Sequence, residues 1–322
     1  MLGVEGEMSD AADAIPPPPH EPRSVQHYID ELPMWADGTS LASVPMTPMQ
    51  WRVWALAACG KFFVGFIIFV TGVALPLISH EFGIPPSQYG LISAASLLGI
   101  LIGAAGLGGL SDYFGRKTMF IAEMFIFMAF LIALVFTDNF ATLIFCLFGL
   151  GLALGCDYPT AHLIISENIS TANRGRLVLA AYTFQAVGAL TGTAVGFAVL
   201  TAYPRLDAWR WMYAAAILPA LAVTIGRFSI PESANWLHNR GAHERAELEV
   251  RRLLSRAPPY PPAIRLRRQS EAAIERPARS TGYAALFRKG VRRATLLASL
   301  PWFLQDIGSY GIGIFTPPKA RR

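Results

Sequence analysis

Apolar residues occur in long runs along most of this chain, and short polar segments separate the runs. A run of about 20 apolar residues is long enough for a helix to cross roughly 30 Å of hydrocarbon. The sequence predicts seven membrane-spanning helices, at 53–78, 89–110, 118–136, 143–165, 177–202, 211–228 and 294–315. The seventh run is the weakest, because Asp306 and several glycines interrupt it.

The composition supports a membrane setting. Of 322 residues, 53% are hydrophobic and 15% are charged, and the mean hydropathy is +0.40. A soluble globular chain is less apolar than this, so the predicted fold class is an all-α polytopic membrane protein. Cys59, Cys146 and Cys156 all fall inside apolar runs, which favours small packing residues over disulfides or metal ligands.

Lysine and arginine are concentrated in alternate loops, which predicts the orientation of the chain. The loops after the second and fourth runs carry Arg116, Lys117, Arg174 and Arg176, whereas those after the first and third carry no lysine or arginine. The N-terminus is therefore predicted to be cytoplasmic, in a plasma membrane or a bacterial inner membrane. The basic segment 229–293 falls on the same side and explains much of the net charge of +5. Anionic lipid is its expected contact, and no nucleic-acid partner is predicted.

We divide the chain into four parts. Residues 1–50 are predicted to be a flexible cytoplasmic tail, because an acidic opening and the prolines at 16–19 cannot build a core. Residues 51–228 form a six-span N-terminal transmembrane bundle, 229–293 a basic cytoplasmic interdomain loop, and 294–322 the seventh span with a short basic tail. Ser24 is predicted to cap a short helix that runs through Trp35 within the tail, with Tyr28, Leu32 and Trp35 toward the membrane surface. Residues 244–256 are predicted to form an amphipathic helix within the loop.

Asp157 lies near the middle of the fourth run, within the sequence GLGLALGCDYPTAHLII. A carboxylate at membrane depth is expensive, so it indicates a functional role by default. The alternative is a structural acid bonded to a neighbouring hydroxyl or backbone group. Lys61 and Glu123 lie closer to span ends; for Lys61, snorkelling to the interface and a role in an anion path are both open.

No catalytic motif appears in the chain. We find no zinc-ligand spacing, phosphate-binding glycine loop or nucleophile elbow, so the sequence predicts neither an enzyme nor a cofactor or metal site. Gly188, Gly192 and Gly196 recur at every fourth residue of the fifth run, which allows neighbouring backbones to approach closely. Simple tight packing and sliding of helices during a conformational cycle both explain this repeat.

A more specific pattern lies between the second and third runs, where 108–117 reads GGLSDYFGRK. Gly109 and Gly115 allow a tight turn, Asp112 sits at a helix end, and Arg116 with Lys117 supplies positive charge. This pattern resembles the signature loop of the major facilitator superfamily. Tyr113 departs from it, because the family usually has a basic residue after the acid.

Two further segments resemble the sugar porter and phosphate symporter branches of that superfamily. They are Glu167 with Arg174 and Gly175 after the fourth run, and PESANWL at 231–237. The resemblance implies a six-helix bundle of the major facilitator fold and a cytoplasmic charge network that gates it. The gating residues so implied are Gly109, Asp112, Gly115, Arg116, Lys117, Glu167, Arg174, Gly175, Arg176 and Glu232.

The inner polar residues resemble those of phosphate:proton symporters. The matching segments are GCDYP at 155–159, Gln185, and WFLQDIGSY at 302–310. By this resemblance Asp157 couples to protons, and the substrate-binding residues are Tyr158, Gln185, Trp302, Asp306 and Tyr310. Independently of the resemblance, the last three are four residues apart and share one helix face.

The resemblance implies proton-coupled symport by alternating access, with a small solute, protons and the lipid bilayer as partners. Phosphate, an organic anion and a sugar all remain open. Gly65 stands where phosphate symporters carry an acid, and Leu147 lies near an arginine position of sugar porters. The resemblance spans 51–318, whereas the superfamily has a second six-helix half; that half is a further expected partner if the chain is a fragment or truncated product. The competing hypothesis is a non-transporting remnant or regulatory partner subunit.

Overall fold

The computed structural model of the chain describes residues 22–32, 44–255, 264–268 and 286–306, and for Trp302 and Asp306 it describes the backbone alone. Within these ranges the regular structure is helical, apart from one isolated bridge between Arg23 and Leu266. The all-α prediction is confirmed.

Six helical segments of the described chain are long and apolar enough to cross a membrane, and they confirm six of the seven predicted spans. A short helix α1 (Val25–Asp30) precedes the first crossing, α2 (Pro48–Glu81). The second crossing consists of α3 (Tyr89–Ile102), a π-helical turn (Gly103–Leu107) and α4 (Gly108–Phe114). Then follow α5 (Arg116–Val135), α6 (Phe140–Asn168), α7 (Thr171–Ala202), and a sixth crossing made of α8 (Ala208–Ala214) and α9 (Ile217–Phe228).

Side-chain caps determine where two of the crossing helices begin. Thr47 Oγ1 accepts a hydrogen bond from Gln50 N at 3.1 Å, and Gln50 Oε1 accepts one from Thr47 N at 2.9 Å, before α2. Asn139 Oδ1 accepts from Thr142 N at 2.9 Å at the start of α6. Both caps satisfy backbone donors that the first helical turn leaves without partners.

Glycines allow the crossing helices to touch backbone to backbone. A Cβ atom at Gly188 of α7 would overlap the Phe62 carbonyl oxygen of α2, and one at Gly65 of α2 would overlap the Gln185 carbonyl oxygen of α7. Gly99 brings α3 against α6 in the same way. The close approach predicted from the glycine repeat is confirmed, whereas helix sliding stays a prediction.

Beyond the sixth crossing, α10 (Ala234–Asn239) and α11 (His243–Leu253) form a small apolar core with α1. The amphipathic helix predicted in the basic loop is confirmed, and its buried face includes Val250. Arg240 of this loop region donates a hydrogen bond to the Tyr113 carbonyl oxygen of α4 at 2.6 Å. The small core therefore sits at the end of the bundle where α4 and α5 meet, which we call the loop face.

The tail before the first crossing contains the helix α1. Ser24 Oγ caps α1 by accepting from His27 N at 3.3 Å, as predicted. Tyr28 and Ile29 are buried in the loop-face core, and the Tyr28 hydroxyl donates to the Arg265 carbonyl oxygen at 2.9 Å. The expected position of Tyr28 toward the membrane surface is wrong, because the apolar side of α1 packs against α10 and α11. Trp35, the predicted end of this helix, lies outside the described residues. The flexible character of the tail stays a prediction.

The described part of the seventh apolar run forms α12 (Arg292–Asp306). Its length is about 22 Å at 1.5 Å per residue, which is less than the roughly 30 Å of a bilayer core. Its large apolar side chains, including Leu297 and Phe303, are exposed. The remainder of the predicted span, at 307–315, lies outside the described residues.

Candidate functional site

Four charged side chains meet inside the bundle, and we call them the charge cluster: Lys61 of α2, Glu123 of α5, Asp157 of α6 and Arg227 of α9. Their exposed fractions are 2%, 2%, 3% and 0%, so none of them has a solvent shell. Asp157 lies about 17 Å from the last residue of α6 at 1.5 Å per residue. Asp157, which the sequence predicts at membrane depth, is therefore one of four linked charges.

Asp157 bridges the two cations of the cluster. Its Oδ2 atom lies 3.0 Å from Lys61 Nζ, and its Oδ1 atom lies 2.9 Å from Arg227 Nη2. Arg227 Nη1 lies 2.6 Å from Glu123 Oε1. Two acids and two bases sum to zero net charge, which is the condition under which buried ions are tolerated.

The two cations differ in the partners they have besides Asp157. Arg227 has a second carboxylate, donates to the Phe120 carbonyl oxygen at 2.5 Å, and lies 3.4 Å from the centroid of the Phe120 ring. Lys61 Nζ has the Asp157 carbonyl oxygen at 3.2 Å and the Tyr158 ring centroid at 4.0 Å. Within the described part of the chain, Arg227 therefore pairs with two carboxylates and Lys61 with one.

Space for the Asp157 carboxylate is created by Gly60, because a Cβ atom there would overlap the carboxylate. Beside the cluster, a pocket with about 200 Å³ of empty space is lined by Glu123, Asp157 and mostly apolar side chains. A larger pocket, about 510 Å³, is lined by residues of α2, α3 and α6 that include Thr71 and Ser93. Leu154, one turn of α6 before Asp157, lines both pockets.

One of the two alternatives for Lys61 is wrong. Lys61 does not snorkel to an interface, because its ammonium group pairs with Asp157, whereas a role in an anion path stays a prediction. Glu123 lies about two turns from the start of α5, near a span end as expected, and is buried. Arg227 was missed, since an arginine at the end of an apolar run is typical of a topology signal. The charges in the apolar runs could have indicated Arg227, because Lys61, Glu123 and Asp157 sum to one negative charge. A neutral cluster therefore needs one more buried cation.

Tyr158 and Gln185, two predicted substrate residues, lie beside the cluster between α6 and α7. The Tyr158 hydroxyl donates to Gln185 Oε1 at 3.4 Å, and both residues are half-buried. Tyr182 is the further aromatic residue here, with its ring centroid 5.5 Å from Lys61 Nζ. Asp157, Tyr158 and Gln185 are thus brought together, as the sequence predicts.

The other predicted substrate residues stay predictions, since the structure describes the backbone alone for Trp302 and Asp306. Trp302 and Asp306 both belong to α12, which confirms that they share a helix. Tyr310 lies outside the described residues.

On the loop face, Arg116 joins two of the predicted gating acids. Its Nη1 atom lies 2.8 Å from Asp112 Oδ1, and its Nη2 atom lies 3.3 Å from Glu167 Oε1. Gly115, between α4 and α5, has a φ of +101°, a conformation that favours glycine. The predicted turn at Gly115 is confirmed, and Asp112 lies in the last turn of α4, as expected.

Glu232 connects this turn to the segment before α10. Its Oε1 atom accepts hydrogen bonds from Lys117 N at 2.9 Å and Ser233 N at 2.8 Å. The Ser233 hydroxyl donates to Glu167 Oε2. Trp236 Nε1 adds a bond to the Asp112 carbonyl oxygen at 2.9 Å. We call Asp112, Arg116, Glu167 and Glu232 with these bonds the loop network.

Four predicted gating residues are placed differently. Gly109 lies within α4 with open space around its Cα, so the expected turn at this residue is wrong. Gly175 and Arg176 are exposed on the first turns of α7. Arg174 is half-buried, and its Nε atom has no hydrogen-bond partner among the described residues. The resemblance marked these residues, but the described contacts of the loop network do not include them.

The loop-face core contains a histidine pair outside the membrane spans. His238 Nδ1 and His243 Nδ1 are 3.0 Å apart, at the turn between α10 and α11. Burial and then the neighbouring His243 lower the pKa of His238 below its usual 6.5. His238 therefore takes up a proton less readily than an exposed histidine does.

Known proteins similar to this chain are transporters. The 4-hydroxybenzoate transporter PcaK of Pseudomonas aeruginosa is 28% identical over 280 residues, which are 86% of this chain and 60% of that protein. The galactose-proton symporter of Escherichia coli is 29% identical over 273 residues, 84% of this chain and 57% of that protein. The chain thus spans a little over half the length of these relatives.

A solved structure of the xylose transporter XylE from E. coli, in a partially occluded inward open conformation, has the same fold. The TM-score is 0.58 at 24% identity, over 63% of this chain and 55% of XylE. The family model described as "Sugar (and other) transporter" matches residues 53–317. That match covers most of the chain, and the members of this family are transporters and not enzymes. This multi-pass membrane chain belongs to the sugar transporter family of the major facilitator superfamily.

Proposed function

We propose that the chain belongs to a secondary active transporter that moves a small polar solute together with protons by alternating access. The observation that carries this proposal is Asp157, a buried carboxylate held between Lys61 and Arg227 at membrane depth. A charge kept in such a place indicates function, and its protonation changes the balance of the whole cluster. The galactose-proton symporter of E. coli, a relative by sequence, supports the proton coupling.

In this proposal Asp157 is the proton site, and Tyr158 and Gln185 form part of the solute site. Both polar side chains are half-buried between α6 and α7, next to the cluster. Trp302, Asp306 and Tyr310 are proposed for the same site on the seventh span. The relatives named above are a 4-hydroxybenzoate transporter and a galactose-proton symporter, so organic anions and sugars are both candidate solutes.

The proposed gate is the loop network, with Arg174, Gly175 and Arg176 as further predicted members. Its bonds tie α4 and α5 to α6 and α10, so breaking them frees several helix ends together. We place the loop face and the N-terminus in the cytoplasm, on the positive charge of the loops. Residues 51–228 then act as one half of the transporter, and a second half completes the solute site.

The test is uptake by the protein in proteoliposomes, with an inward proton gradient. Radiolabelled galactose, benzoate and inorganic phosphate are supplied separately. We expect accumulation of one solute that a protonophore abolishes, and loss of that accumulation in Asp157→Asn. Asp138→Asn, an exposed loop acid, is the matched control and retains uptake. Uptake by Asp157→Asn equal to that of the wild type contradicts the proton role, and absence of uptake for every solute favours a non-transporting regulatory subunit.

A further inference from the structure

We propose that Lys61 is the group that binds the solute, that the solute is an organic carboxylate, and that Asp157 blocks Lys61 until it takes up a proton. This inference deepens the proposed function and rests on it for the coupling to transport. It starts from the unequal partners of the two buried cations. Among the residues that the structure describes, Lys61 pairs with one carboxylate, whereas Arg227 pairs with two.

When a proton from water adds to the Asp157 carboxylate, the net charge of the cluster rises from zero to plus one. Arg227 keeps the Glu123 carboxylate at 2.6 Å and the Phe120 carbonyl oxygen at 2.5 Å. Lys61 keeps a carbonyl oxygen and an aromatic face, neither of which carries a full negative charge. A buried cation without a counter-ion is unfavourable, so the unbalanced charge falls on Lys61.

The position of Lys61 gives this charge a route to a ligand. Its ammonium group lies 4.0 Å from the Tyr158 ring centroid and 5.5 Å from that of Tyr182, and both rings are half-buried. The two ring centroids are 6.4 Å apart. One layer of aromatic side chains therefore separates the ammonium from the surface between α6 and α7, and the flexible lysine stem can cross it.

The ligand that restores neutrality carries one negative charge and an apolar body. A monocarboxylate cancels one proton, so each cycle moves no net charge, and the tyrosine rings offer faces on which a planar body can stack. Gln185, bonded to Tyr158, adds a polar contact at the same place. A neutral sugar leaves the Lys61 charge unbalanced. Phosphate, whose charge varies between one and two near neutral pH, has no apolar body for the tyrosine rings.

Other ionisable groups surround the pair and belong in any test that varies pH. They are Cys59 of α2, Glu123 of α5, Cys156, Tyr158 and His162 of α6, Tyr182 of α7 and Arg227 of α9. Asp157→Asn separates their titration from that of Asp157, because the amide is close in shape to the protonated acid and does not ionise.

The test measures binding of benzoate to the purified protein in lipid nanodiscs between pH 5 and 8, with benzamide as its neutral counterpart. For the wild type we expect benzoate affinity to rise as pH falls. For Asp157→Asn we expect affinity to be higher by about tenfold or more at pH 8 and independent of pH. The Lys61→Met change in the Asp157→Asn background removes benzoate binding, and it leaves the Arg227–Glu123 pair intact, so the fold is retained.

Should that double variant fail to fold, Asp157→Asn alone decides the matter. Equal affinity for benzoate and benzamide, or no gain over the wild type at pH 8, overturns the proposal. Inorganic phosphate bound in place of benzoate overturns the carboxylate assignment. Proton-driven galactose uptake without benzoate binding overturns the inference and leaves the proposed function standing. Benzoate binding without uptake of any solute supports the inference and contradicts proton-coupled symport.

Discussion

The charge cluster and the loop network both join arginine to carboxylates across several helices, but they differ in burial and in the kind of partner. In the cluster, Asp157 and Arg227 are almost completely buried, and their partners are mainly other charges. In the loop network, the Asp112 side chain is 66% exposed. Glu232 there accepts hydrogen bonds from two backbone N–H groups.

This difference indicates different roles. A charge lost from the loop network is replaced by water and by neighbouring backbone groups, so the network can open and close at small cost. A charge lost from the cluster has no such replacement and must be balanced by another ion. The cluster therefore suits the carriage of a proton and a charged solute, and the loop network suits the choice between two conformations.

The largest expected effect is that of Arg227→Met, which tests the burial of the cluster. Two buried acids then share Lys61 alone, and the loss of one partner of a buried ion pair costs about 3–5 kcal/mol. Thermal unfolding of the protein in detergent measures the loss. Adding Glu123→Gln removes the unpaired acid and leaves Lys61 with Asp157, so we expect the double variant to be the more stable. A double variant no better than the single one contradicts a charge-balanced cluster.

The second prediction, Gly60→Ala, tests how tightly the cluster is held. The new methyl group meets the Asp157 carboxylate, and overpacking of this kind costs about 1–3 kcal/mol. It also moves the carboxylate away from Lys61, so the binding of benzoate loses its pH dependence. Gly72→Ala on the same helix has open space and is the control, with unchanged unfolding and binding. Equal behaviour of the two variants contradicts the described contact.

The third prediction, Gly115→Ala, applies the same kind of test to the loop network. The φ of +101° at this residue is unfavourable for alanine by about 1–3 kcal/mol, and the methyl group meets Glu232 Oε2. We expect a lower unfolding temperature and altered reaction of a thiol reagent with a cysteine introduced on the loop face. Gly109→Ala, in open space within α4, leaves both unchanged. If Gly109→Ala is as harmful as Gly115→Ala, the turn is not where the structure has it.

The long apolar runs determined most of the fold from the sequence. The length of the apolar runs located six crossing helices, and the glycine repeats indicated close contacts such as that of Gly188 with α2. The packing of the tail helix was not predicted, because Tyr28 and Ile29 find their partners in α10 and α11, more than 200 residues later in the chain. Such a long-range contact leaves no local pattern.

The candidate site was only partly predictable. Asp157 was identified because a single charge in an apolar run is conspicuous, and Tyr158 and Gln185 through resemblance. The pairing of Lys61 with Asp157 and the role of Arg227 depend on how α2, α5, α6 and α9 turn toward one another. One sequence gives the faces of each helix but not their relative rotation, so the partner of a buried charge stays open until the fold is known.

The smallest expected effect on stability is that of Asp112→Asn, and it separates gating from folding. The Asp112 side chain is 66% exposed, so its pair with Arg116 is worth about 0–1 kcal/mol, and Arg116, whose side chain is 12% exposed, retains Glu167. Unfolding should therefore change little. The same energy shifts a two-state equilibrium by about fivefold at most, so accessibility labelling should move toward the inward-facing form. Asp138→Asn, an exposed acid outside the loop network, is the control. Unchanged labelling in Asp112→Asn contradicts a gating role, because the carboxylate would then contribute neither to stability nor to the choice of conformation.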